Sequence, residues 1–173
     1  MTQKNNTTQL LYWSLIILTP IIIILSSVRL LLTPAFMYLE YRMPGFPADP
    51  YGFTTQDRLQ WSKISLTYLL NDADISFFDQ YQLDSDTPLY NDRELSHMDD
   101  VKVVVKNGRL IWLGILVIWV FLILLLFRKN EISSIIKALA TGGWATIGLM
   151  ILMGITIILS FDFLFTEFHN LFF

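Results

Sequence analysis

The chain has no cysteine in its 173 residues, which excludes a disulfide scaffold, a thiol nucleophile and any cysteine-ligated zinc or iron–sulfur centre. Charge is scarce as well. Only 16% of residues are Asp, Glu, Lys or Arg and the formal net charge is −3 at pH 7, so the chain carries no polybasic footprint for nucleic acid. Hydrophobic residues fill the gap at 54%, above the roughly 45–50% typical of soluble domains, and mean hydropathy is +0.52. The excess lies in three uncharged runs, Leu10–Val28, Leu110–Phe127 and Trp144–Phe161, each close to the ~20 residues that cross a ~30 Å hydrocarbon core. These features predict an integral membrane protein with three transmembrane helices.

The first run follows Lys4, as a secretory leader would, but it exceeds the ~7–15 apolar residues of a signal peptide. Ser26-Ser27-Val28-Arg29 also lacks a small-residue cleavage pattern, so the run reads as a retained helix. Pro20 removes one of its hydrogen bonds and predicts a kink. Residues 1–32 thus form the amino terminus and first span. Residues 107–173 hold the other two spans, and residues 33–106 differ in character, with twelve acidic and six basic side chains, twelve aromatic residues and turn signals at Pro44-Gly45-Phe46-Pro47 and Asp49-Pro50-Tyr51-Gly52. That middle segment reads as a small extracytoplasmic domain of mixed α+β structure on an otherwise all-α membrane protein. Gln56–Leu70 has helical spacing and ends at Asn71-Asp72. Asn91 and Glu94 form a capping-box pattern, starting a helix with Leu95, Met98, Val101 and Val105 on one face. Two continuations are open there: the helix runs into the second span, or Val103-Val104-Val105 and Asn107-Gly108 mark a break.

Between the second and third spans, Ile132, Ile135, Ile136 and Leu139 form an amphipathic stripe, expected as a helix in the membrane interface. Arg128, Lys129 and Lys137 share a side of the membrane with Lys4, because an even number of crossings separates them. The positive-inside rule makes that side cytoplasmic, and Arg42, Lys102, Lys106 and Arg109 do not outweigh it because a loop longer than ~60 residues crosses largely regardless of charge. The middle domain and the carboxyl-terminal segment then face outward in the cell membrane, and with them the two histidines of the chain, His97 and His169. A histidine titrates near neutrality and serves as acid, base or metal ligand. Three readings stay open from the residues: an acid–base pair; a metallohydrolase whose zinc is held by His97, His169 and Glu94 or Glu167; and a non-catalytic scaffold binding a partner through its aromatic domain. No His-Glu-x-x-His helix favours the metal.

Tyr90-Asn91-Asp92-Arg93-Glu94-Leu95-Ser96-His97-Met98-Asp99-Asp100-Val101-Lys102 and Phe168-His169-Asn170-Leu171-Phe172-Phe173 resemble the two histidine motifs of the integral membrane family that includes the bacterial lipoprotein intramolecular transacylase. The order of one span, an outer domain, two spans and a second histidine motif is similar as well. The resemblance implies transfer of an acyl chain from the sn-2 ester of a lipoprotein's diacylglyceryl group to the α-amine of its N-terminal cysteine. The partners are then the membrane lipid or diacylated lipoprotein N-terminus, and the reaction uses no cofactor and no metal. Family members continue past the second motif into a fourth span, so the ending at Phe173 is expected to be a truncation.

Ester aminolysis needs a base for the amine proton, donors for the oxyanion and an acid for the leaving glycerol oxygen. His97 and His169 are the expected catalytic pair, near each other at the outer membrane boundary. Glu94 and Asp100, each three residues from His97, share its helix face and are expected to orient the imidazole. Arg93 is expected either to donate to a substrate carbonyl or to point into solvent, and Arg29 either to snorkel to the headgroups or to line the site.

Overall fold

A computed structural model describes residues 6–172; Lys4, used above for orientation, and Phe173 of the second motif lie outside the described residues. The described chain is helical: α1 (Asn6–Leu31), α2 (Pro34–Glu40), α3 (Thr55–Leu70), a 3-10 turn at Ile75–Phe78, α4 (Asp92–Arg128) and α5 (Ile132–Phe172). Of these, α1, α4 and α5 are long and apolar enough to cross a membrane, each containing one of the three apolar runs. The protein is therefore a membrane protein with three candidate spans. It divides into two compact units, one formed by the chain up to Ser27 with Leu110 onward, the other by Val28–Arg109.

In the first unit Leu11, Leu15 and Ile16 of α1, Leu122 and Leu126 of α4, and Ile135 and Ala138 of α5 make one buried cluster. Two indole N–H groups of α4 cap its contact with α1: Trp112 Nε1 donates to Ser26 Oγ at 3.0 Å and Trp119 Nε1 to Thr19 Oγ1 at 3.1 Å. The donors are seven residues apart and so are the acceptors, in opposite chain order. Two antiparallel helices thus meet with heptad register, and neither N–H lacks a partner in an apolar medium. α4 ends in a Schellman motif: Asn130 takes φ +57°, its N–H bonds Phe127 O at 2.9 Å, and Glu131 N–H bonds Leu126 O at 3.0 Å. This closes the turn into α5 within three residues.

The helix expected at Ile132–Leu139 is present, without a break from the third span. It is the first part of α5 itself, and Ile135 and Ala138 lie in the cluster with α1 and α4. Half of the stripe meets protein, Ile135 buried in that cluster and Leu139 packed against it, whereas Ile132 and Ile136 stay exposed at 52% and 62%. At Gly142 the approach is closest: a Cβ there would lie 2.5 Å from Thr19 Cβ and 3.1 Å from Ile16 O. Ile16 O is the carbonyl that Pro20, lacking an N–H, leaves without its helical partner. α1 remains one helix through Pro20.

The second unit is built on α2, α3, the 3-10 turn and the first turns of α4. Thr54 and Asp57 form a capping box that opens α3; the Thr54 hydroxyl and N–H donate to Asp57 and hold its carboxyl below the ordinary range. Tyr68, fully buried, packs on Phe78 at 4.7 Å and Phe77 at 5.8 Å, and Phe78 on Tyr90 at 5.0 Å. The expected α+β character is not found. Among the described residues the extended structure amounts to one isolated bridge, Gln82 with Pro88. Val103–Val105 and Asn107-Gly108 sit inside α4, so the β-branched triplet yields to a helix nucleated at Asn91 and continued by the apolar run. Propensity is a weak prior beside such continuity.

Candidate active site

His97 stands in the second turn of α4, and the start of that helix fixes where it points. Asn91 Oδ1 accepts Glu94 N–H at 3.0 Å while Glu94 Oε2 accepts Asn91 N–H at 2.9 Å. One carboxylate oxygen of Glu94 therefore serves the helix cap. Arg93, Glu94, His97 and Asp100 are exposed, whereas Leu95, Met98, Val101 and Val105 are half-buried. With a 100° step per residue, Arg93, His97 and Asp100 follow one outward stripe.

The opposite stripe of α4 carries a polar cluster that the sequence reading missed. Lys102, only 9% exposed, donates to Asn71 Oδ1 at 3.1 Å and to Ala73 O, with its ammonium 3.8 Å from the centre of the Tyr68 ring. Tyr68 OH donates to Asp99 Oδ1 at 3.1 Å. Burial and the Asp99 carboxylate push the Tyr68 phenol up to about 12; burial pulls the Lys102 ammonium down, opposed by Asp72 and Asp99. The cluster ties the end of α3 to α4 and so sets the rotation at which α4 displays His97. Its signal in the sequence is Leu95, Asp99 and Lys102 at i, i+4 and i+7, opposite charges within an apolar stripe.

His169 lies in the last turn of α5. Its ring packs on Phe165 at 4.1 Å, and Nδ1 is 3.0 Å from Phe165 O. His97 and His169 belong to different units, as do His169 and the group Arg93, Glu94 and Asp100. Arg29, half-buried in the last turn of α1, bends Nη1 back onto Leu32 O at 2.9 Å, a bond that also relieves the carbonyl end of that helix. Among the described residues, no three His, Asp or Glu side chains gather as a metal site requires.

A family model described as lipoprotein intramolecular transacylase Lit matches residues 13–173. The chain belongs to that family. The match runs from the second turn of α1 through both histidine segments, so transacylase character at the family level extends to the helices that carry them. An uncharacterized protein of Aquifex aeolicus (strain VF5) is 27% identical over 161 residues, 92% of this chain and 70% of its own length. No solved structure matches the chain. Membership in the Lit family points to lipoprotein transacylase at the family level.

Proposed function

We propose that this chain is a lipoprotein intramolecular transacylase that moves an acyl group from the sn-2 ester of a diacylglyceryl-modified cysteine to the α-amine of the same cysteine, with His97 and His169 exchanging the protons. The observation that carries the reading is the family match over residues 13–173, which includes both histidines. The unprotonated amine nitrogen attacks the ester carbonyl carbon and a tetrahedral oxyanion forms. Collapse breaks the carbon–oxygen bond to glycerol, leaving an amide and a secondary alcohol. One proton leaves nitrogen and one arrives on the glycerol oxygen, so nothing is consumed and no cofactor is called for.

An amine with an unperturbed pKa of roughly 7.7–8.0 is partly charged at neutral pH, and a neutral imidazole is matched to removing its proton in the transition state. The second histidine, protonated, delivers a proton to the departing alkoxide. Arg93 and Asp100 lie on the outward stripe with His97: the guanidinium suits the oxyanion or a lipid phosphate, and the carboxylate suits an imidazolium. Arg29, at the end of α1, suits the headgroup region. The active site is extracytoplasmic in this reading, where lipoprotein N-termini are modified, and the short connection at Arg128-Lys129 is cytoplasmic.

Mass spectrometry of lipoprotein N-termini from cells with and without the protein tests the proposal. Conversion of diacylglyceryl-cysteine into N-acyl, monoacylglyceryl-cysteine supports it; unchanged N-termini in cells that hold the folded protein refute it.

A further inference from the structure

The last part of α5 departs from the rest of the helix. At Ser160 the backbone leaves helical geometry, with φ −152° and ψ 49°, and helical conformation resumes up to Phe172. Length shows what that break accomplishes. The charged turn Arg128-Lys129-Asn130-Glu131 holds the start of α5 at an aqueous boundary, and at 1.5 Å per residue the 28 residues from Ile132 to Leu159 extend about 42 Å. That already exceeds the ~30 Å hydrocarbon core, so a helix along the membrane normal has left the core before Ser160, and the residues after it have no core left to cross.

Those residues are nonetheless apolar on one side. At 100° per residue Phe161, Leu164, Phe165, Phe168, Leu171 and Phe172 fall within about 120° of arc, while Asp162, Thr166, His169 and Asn170 fall opposite them, with Phe163 the one aromatic on that opposite side. The apolar face is bare: Phe161 is 58% exposed, Phe168 52% and Leu171 75%. Aromatic side chains favour the interface, and the face continues directly from a membrane-spanning helix. Its polar side carries Asp162 and Glu167 with no Lys or Arg, which suits zwitterionic headgroups better than anionic ones.

We infer that residues 161–172 form an in-plane helix on the lipid surface, its aromatic face sunk between headgroups and acyl chains and His169 on its upper edge. Combined with the proposed function, and resting on it for this step alone, the arrangement sets His169 at the depth of the glycerol esters. The occupant is the bilayer surface rather than another protein.

Site-directed spin labelling tests this without reference to activity. Because the chain has no cysteine, Phe161→Cys, Phe165→Cys, Phe168→Cys and Phe172→Cys each carry one nitroxide in the full chain reconstituted in phosphatidylcholine vesicles. Collision rates with oxygen and with a water-soluble nickel chelate give depth. The expected result is four equal, shallow depths, with labels at Asp162, Thr166 and Asn170 open to the nickel reagent. A steady change of ~1.5 Å per residue, roughly 16 Å from position 161 to 172, would show a continuing transmembrane helix and overturn the inference. Labels shielded from both reagents, or open to nickel at every position, would overturn it too. Leu164→Cys and Leu171→Cys on the same face replace any variant that fails to fold. An in-plane result with no acyl transfer would sink the proposed function and leave this inference standing.

Discussion

At the scale of single residues, the account rests on two imidazoles and on the groups that hold them. His97→Ala and His169→Ala are each expected to lower transacylation by ~10²–10⁴, the usual worth of a general acid or base. The double variant should be little worse than either single one, because groups acting as a unit are strongly non-additive. Single-turnover kinetics on a synthetic diacylated lipopeptide measure all three, with thermal unfolding in detergent to show that the fold is kept. The pH profile of the same reaction should be bell-shaped, since one imidazole must be neutral and the other protonated. Tyr68 supplies a separate check on the anchor beneath His97. Its phenol is raised to about 12 in the folded protein against about 10 in an unfolded chain, so between those values the native state holds a proton that the unfolded state has lost. The contribution of Tyr68 to stability should therefore be constant below pH 10 and fall as pH rises towards 12; Tyr68→Phe should lack that component of the fall, as alkaline unfolding would register. The histidines were legible in the sequence through their motifs. Lys102 and Asp99 were not, because a charged residue on a predominantly apolar stripe reads as surface until its partners on α3 are known.

At the scale of helices, the most sensitive joint is the one where α1, α4 and α5 meet. Gly142→Ala would drive a methyl into Thr19 and the unpartnered Ile16 carbonyl, at 2.5 and 3.1 Å. Overpacking of that kind costs typically ~1–3 kcal/mol, and it would also disturb Thr19, which accepts the Trp119 indole. Gly148→Ala meets open space, and the helical preference of alanine makes it neutral or slightly stabilising. Unfolding in detergent should separate the two variants by at least that overpacking cost, and equal stability would contradict the close approach at Gly142. The three spans were readable from apolar run lengths, and both the α3 helix and the Asn91–Glu94 cap from local chemistry. Two points needed the structure, because local pattern does not reveal what a face meets or which of two continuations a chain takes. Ile135 and Leu139 of the Ile132–Leu139 stripe pack against the α1–α4 cluster while Ile132 and Ile136 stay exposed, and the valines at 103–105 follow the helix on either side of them rather than their own β preference.

For the whole molecule, composition alone indicated a membrane protein, because apolar runs of this length have no soluble use. Function needed more. The middle segment and the spans carry the two histidines, but nothing in their spacing distinguishes acyl transfer from hydrolysis; the family match points to transacylases at the family level. The most direct measurement is therefore chemical. Purified protein in vesicles is mixed with a lipopeptide bearing an N-terminal diacylglyceryl-cysteine with an isotopically labelled sn-2 chain, and the products are sequenced by mass spectrometry. Acyl transfer within one molecule predicts an unchanged total mass with the label moved to the α-amine. His97→Ala and His169→Ala should both suppress that movement. Release of the labelled chain as free fatty acid, with a gain of water and no N-acylation, would make the protein a hydrolase and contradict the account.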